Sequence, residues 1–221
     1  MRISKTISAM STSSMIEMGR KHAAKLSEHP NTEVGALAPG LLDKIDQLER
    51  ARVKRRPLVN LWVETRQATE LADDDVDTDI SAMSYELLGP HYLKGDRDAK
   101  EYRALFSHGH IGFINNPIEE ELTVVNHIVE YLSEHPEHPM AHWASSLKIK
   151  STALHATLAP KKIAEDAYRE ARDTEQQARA ELGRALRKSV FFLRAEMRDS
   201  TNSKPGAETE KREDLKILNV S

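Results

Sequence analysis

The sequence predicts an all-α protein: an irregular multi-helix bundle with a long C-terminal helix and loose termini. Three observations carry this prediction. Apolar residues recur at three- and four-residue spacing along most of the chain, and strand-like alternation is almost absent. Between Lys161 and Asp199 no proline and only Gly183 interrupts the pattern. At about 1.5 Å per residue that stretch alone would extend roughly 58 Å.

Taken in order, residues 1–14 read as a flexible N-terminus rich in Ser and Thr. Met15, Met18, His22, Ala23 and Leu26 then share one side of a short amphipathic helix, which Pro30 stops. After the connector NTEVGALAPG, helix resumes near Leu41 with Leu42, Ile45, Leu48 and Val53. Pro57 falls inside a pattern that continues through Leu58, Leu61, Trp62 and Leu71, so the segment is either kinked or divided after Arg56. The run from Asp73 to Asp79 reads as a stop, with Thr78 or Asp79 capping a new helix through Ile80, Met83 and Leu87 up to Gly89-Pro90.

Asp96 or Asp98 suits the cap of a short helix AKEYRALF, followed by the loop HGHIGFINNP. Asn116, Pro117, Glu119 and Glu120 mark a helix start, and Leu122, Val125, Ile128, Val129 and Leu132 form its apolar face. His-Pro-Glu-His-Pro at 135–139 closes it, and a further apolar segment runs from about Met140 to Leu158 before Pro160. Ser-Glu-His-Pro occurs at both 27–30 and 133–136, each time as a helix stop. The long last helix carries small residues at Ala164, Ala171, Ala178 and Ala185, a coiled-coil-like seam, and VFFL at 190–193 reads as its anchor on the others. Residues 15–199 thus read as a single helical domain, and 200–221 as a disordered tail ending in the apolar tag LKILNV.

The absence of Cys excludes disulfide scaffolds and thiolate metal centres, and no apolar run is long enough to span a membrane as a helix. The first residues lack the apolar core of a secretory signal, so a cytoplasmic location is expected. A formal charge of −3 over 221 residues argues against a general polyanion binder. The charge is nevertheless polarised. Residues 1–72 hold 12 basic and 8 acidic side chains, residues 73–140 hold 4 and 15, and residues 141–221 hold 16 and 12, giving +4, −11 and +4. Eight of the ten His also fall between His91 and His155.

No cofactor is expected, although this acidic, His-rich middle offers oxygen and nitrogen donors that suit a divalent metal. Asp75, Asp77, Asp79 and Glu86 occupy positions 1, 3, 5 and 12 of a calcium-loop register, although Ile80 stands where that loop needs Gly. His138 and His142 are four apart, with His135 and Glu134 beside them, but Pro136 and Pro139 break any continuous helix through the group. His108 and His110 form a further pair. Arg50, Arg52, Lys54, Arg55 and Arg56 make a basic run suited to phosphates or to the acids at 73–79. No nucleophile elbow or phosphate-cradling glycine loop is present. Trp62 and Trp143 lie on apolar stripes, as core residues do.

The expected function is a helical protein–protein interaction module (scaffold, adaptor or assembly subunit) without catalytic activity. Its expected partner is another protein or a second copy, with the tag residues Leu215, Ile217 and Leu218 as a docking element. The alternatives are a metal-binding enzyme or sensor built on the acidic middle, and a nucleic-acid or anionic-surface binder led by Arg50–Arg56.

Overall fold

A computed structural model describes residues 10–107, 109 and 116–202, with side chains as far as residue 198. The fold is all-α: no strand forms among the described residues. The elements are α1 (Thr12–Ser27), α2 (Thr32–Gly35), α3 (Leu37–Leu87), α4 (Lys100–Leu105), α5 (Ile118–Glu134) and α6 (Trp143–Asn202). The chain forms two compact units, unit 1 from Met1–Leu58 and Tyr168–Ser221, unit 2 from Val59–Ala167.

In unit 1, α1 starts earlier than its apolar pattern suggests. Ser11 caps it by accepting the Ser14 amide at 3.1 Å, so three residues expected in a flexible end are helical. Met15, Ile16, Ala23 and Leu26 bury against Val34 of α2, Ala38, Leu41, Ile45 and Leu48 of α3, and Leu182 and Leu186 of α6. Gly19 permits close approach: a Cβ there would stand 3.0 Å from Ile45 Cδ1. In the VFFL segment Val190 is buried and Leu193 packs against the core, but Phe191 and Phe192 face outward with 71% and 44% exposure. The expected four-residue anchor is therefore half anchor and half open surface, because successive helical positions lie about 100° apart.

In unit 2, Val76, Ile80, Met83 and Leu87 of α3 pack with Tyr102 and Leu105 of α4, with Leu122, Val125, Ile128 and Leu132 of α5, and with Leu147 and Leu154 of α6. The expected stop at Asp73–Asp79 does not occur; α3 runs unbroken through it, and neither Thr78 nor Asp79 caps a helix. Poor helix formers such as Asp cost at most about 0.7 kcal/mol each. Burying Val76, Ile80, Met83 and Leu87 along one face returns roughly 1.5–3 kcal/mol per side chain, so packing decides.

Pro57 and Pro160 likewise lie inside α3 and α6 instead of ending them. The last helix therefore begins at Trp143, well before Lys161. Both copies of Ser-Glu-His-Pro do terminate helices: α1 ends at Ser27 and α5 at Glu134. The first turn of α4 starts after Ala99 with no side-chain cap, Asp96 instead accepting the Asp98 amide at 2.9 Å.

Candidate functional site

The acidic middle of the sequence folds into unit 2, where α3 and α5 bring three carboxyl groups together. Asp73 and Asp77, one helical turn apart, flank Val76 on the packed side of α3. Glu121 precedes Leu122 in the first turn of α5 and shares the face of Val125, Ile128 and Leu132. It is 2% exposed. Asp73 Oδ1, Asp77 Oδ1 and Glu121 Oε1 are all buried without a hydrogen-bond partner.

Asp73 and Glu121 lie close enough to act on each other's ionisation, and two facing carboxyls can hydrogen-bond only while one of them keeps its proton. Burial raises the Glu121 carboxyl most, followed by the charges of Asp73 and Asp77 and the bond to Asp73, to about 8. Asp77 is pushed up to about 6, by burial first and then by Asp73 and Asp74. Burial also raises Asp73, against the opposing pulls of Glu121 as donor and of the Lys161 ammonium. The positive end of α5 favours an ionised Glu121 by about 0.3–1 kcal/mol, too little to offset desolvation beside two like charges.

The residues expected to form a calcium loop lie on continuous α3, so the loop's turn does not form. Asp75 is exposed and gives its carbonyl to Lys150 Nζ at 3.1 Å. Asp79 is buried, paired with Lys150 Nζ at 2.6 Å and accepting from Ser146 Oγ at 2.6 Å. Glu86 accepts from Trp143 Nε1 at 2.8 Å and lies 3.3 Å from His142 Nε2. Of that register only Asp77 belongs to the buried carboxyl cluster.

The imidazoles are also separated. Residues 135–142 form turns, not a helix, and the spacing of His138 and His142 loses its meaning there. His135 Nδ1 pairs with Glu137 at 3.1 Å, and His142 Nδ1 with the Pro139 carbonyl at 3.1 Å, while Glu134 is exposed. His138 is buried: its Nδ1 accepts the Met140 amide at 3.1 Å, and its Nε2 has no partner. Burial, then the neighbouring His135, holds His138 below the usual imidazole range, so it is neutral at pH 7. Among the described residues no group of three or more His, Asp or Glu side chains is arranged to hold a metal ion. His108, His110, Leu215, Ile217 and Leu218 lie outside the described residues.

The basic run occupies α3 in unit 1. Within that unit Arg55 Nε binds Glu175 at 2.6 Å, and Glu175 also accepts from Thr12 at 2.7 Å. Arg52, Lys54 and Arg56 are exposed. Trp143 packs against the unit 2 core.

Asp73, Glu121 and Lys161 were absent from the sequence-derived sites. A usable signal existed, since Asp73 and Asp77 continue the line of Ala72, Val76 and Ile80, and Glu121 that of Val125. No helix of the described residues is long and apolar enough to cross a membrane. Comparison with known protein families, with curated proteins and with solved structures finds no match to this chain.

Proposed function

We propose that this chain is a cytoplasmic helical interaction module (a scaffold, adaptor or assembly subunit), not an enzyme, and that Phe191 and Phe192 on α6 anchor its partner. The observation behind this reading is the exposure of two adjacent large aromatics, 71% and 44%, on a helix whose other face is already packed. Burying a Phe side chain is worth roughly 1.5–3 kcal/mol, and aromatic residues, Phe among them, are enriched at protein interfaces. Arg187, Lys188 and Arg194 are exposed around them, and the Lys188 ammonium stands 6.0 Å from the Phe192 ring centre. The partner that fits is a helical surface with an apolar slot and an acidic rim; a second copy of the chain is the alternative occupant.

Light scattering over a concentration series, with a photo-cross-linking residue at position 191, tests the reading. Binding that Phe191→Ala with Phe192→Ala abolishes, and that Arg187→Glu with Arg194→Glu weakens at least tenfold (about 1.4 kcal/mol), is expected. A strictly monomeric chain with no cross-link sensitive to the two alanines overturns it.

A further inference from the structure

We propose that Asp73, Asp77 and Glu121 form a proton-held latch between α3 and α5 of unit 2, closed while the carboxyls share protons and released as rising pH ionises them. This inference concerns a different unit and does not rest on the proposed partner surface.

Geometry carries it. Two carboxyl groups in hydrogen-bond contact require a proton between them, because two carboxylates have no donor. Here Glu121 of α5 is 2% exposed in the core that α5 shares with α3, and Asp73 and Asp77 of α3 are the like charges that act on it. Asp77 adds a third group one turn along, and each of the three has a buried oxygen with no partner. Unsatisfied buried carboxylate oxygens have a large desolvation cost, whereas a protonated acid needs far less.

The facing charges do not relieve the site. From α3 come Asp73, Asp77 and the exposed Asp74; from α6 comes Lys161, which acts on Asp73 without forming an ion pair with it; and Glu119 and Glu120 on α5 are exposed. The residue types therefore favour one outcome on full ionisation: water must reach Glu121, and the first turn of α5 must separate from α3. Leu122 and Val125, buried immediately after it, would be uncovered with it.

The sign follows from the raised carboxyl of Glu121. A group that holds its proton more tightly in the folded chain stabilises it fully below the ordinary carboxyl range, and that contribution is lost as pH rises toward about 8. For one such proton the unfolding equilibrium constant grows toward tenfold per pH unit within that window.

The test uses the full chain. Urea unfolding from pH 5 to 9 should give wild type a destabilisation approaching tenfold per pH unit above pH 6.5 that levels off beyond about 8, and Glu121→Gln, which keeps the shape and a donor, should remove it. Infrared difference spectra at pH 7 should show a protonated carboxylic acid band in wild type that Glu121→Gln lacks. If Glu121→Gln does not fold, Asp77→Asn serves: removing one like charge should move the loss of stability to lower pH. Equal pH dependence in wild type and variant, or no protonated acid band at pH 7, overturns the latch.

Discussion

Glu175 shows how far a single side chain can depend on a partner remote in sequence. Its side chain is 7% exposed, and it is held by Arg55 and by the Thr12 hydroxyl. Removing Arg55 strands a buried carboxylate on one neutral donor. Breaking a fully buried pair costs about 3–5 kcal/mol, but Arg55 itself is a third exposed and water can reach the vacated space. Arg55→Ala should therefore destabilise the chain by roughly 2 kcal/mol, read as a lower urea midpoint. Arg52→Ala, removing an exposed charge three residues earlier, should stay within about 0.5 kcal/mol of wild type. Composition showed the basic run but not that one of its arginines is withdrawn into an ion pair. That fact depends on a residue 120 positions away and on packing that brings the two together. The same holds for Phe191: its hydrophobicity was legible, its outward direction was not, because a two-residue difference on a helix turns a side chain from core to solvent.

At the scale of the element, periodicity was the dependable signal and local breakers were not. The stripes at 41, 45 and 48, at 122, 125, 128 and 132, and at 182 and 186 all became core faces. The expected boundaries at Asp73–Asp79 and before Lys161 failed for one reason: each lies between two well-packed stretches, and packing on both sides outweighs a local preference. Pro57 makes this testable. It lacks the amide that would bond to the Val53 carbonyl, and its ring crowds that carbonyl, a combined cost near 3 kcal/mol inside a helix. Pro57 is exposed, so replacing it leaves no cavity. Pro57→Ala should stabilise the chain by about 1–3 kcal/mol, the upper bound being reduced because proline also restricts the unfolded chain. A raised thermal midpoint with unchanged helical circular dichroism is the expected result; a lower midpoint would mean that α3 needs its proline.

Across the whole molecule the near-neutral total conceals a division by sequence region, and its acidic third becomes one folded unit. The inference that acids and histidines share a region was sound, but the metal-ligand registers drawn from it were not. Helical continuity removed the loop that register requires, leaving Asp79 and the Asp75 carbonyl on Lys150 with Glu86 about two turns further on, and prolines turned the His segment into bends. What the acids form instead responds to protons, and two histidines, half-buried His22 and buried His138, respond in the opposite sense. His22, bonded to Ser189 Oγ at 2.8 Å, is lowered by burial and then by Lys25; His138 is lowered by burial and then by His135. A histidine lowered in the folded chain contributes stability that is complete above its ordinary value of 6.5 and is lost as pH falls. Glu121 and Asp77, raised in the folded chain, contribute stability that is complete in acid and lost by about 8 and about 6 respectively. Between pH 4.5 and 6.5 the two trends oppose each other, and above 6.5 the loss from Glu121 stands alone. Wild type should thus have its highest thermal midpoint below pH 6.5. In Glu121→Gln the maximum should move to pH 6.5 or above, because the Asp77 loss ends by about 6 and the histidine contribution is complete only above 6.5. Adding His138→Asn to Glu121→Gln should then flatten the acid side, leaving the smaller slope due to His22. Thermal scans of the three proteins at half-unit pH intervals measure all three shapes; a maximum at the same pH in all of them would mean that neither the carboxyl cluster nor His138 sets the pH response.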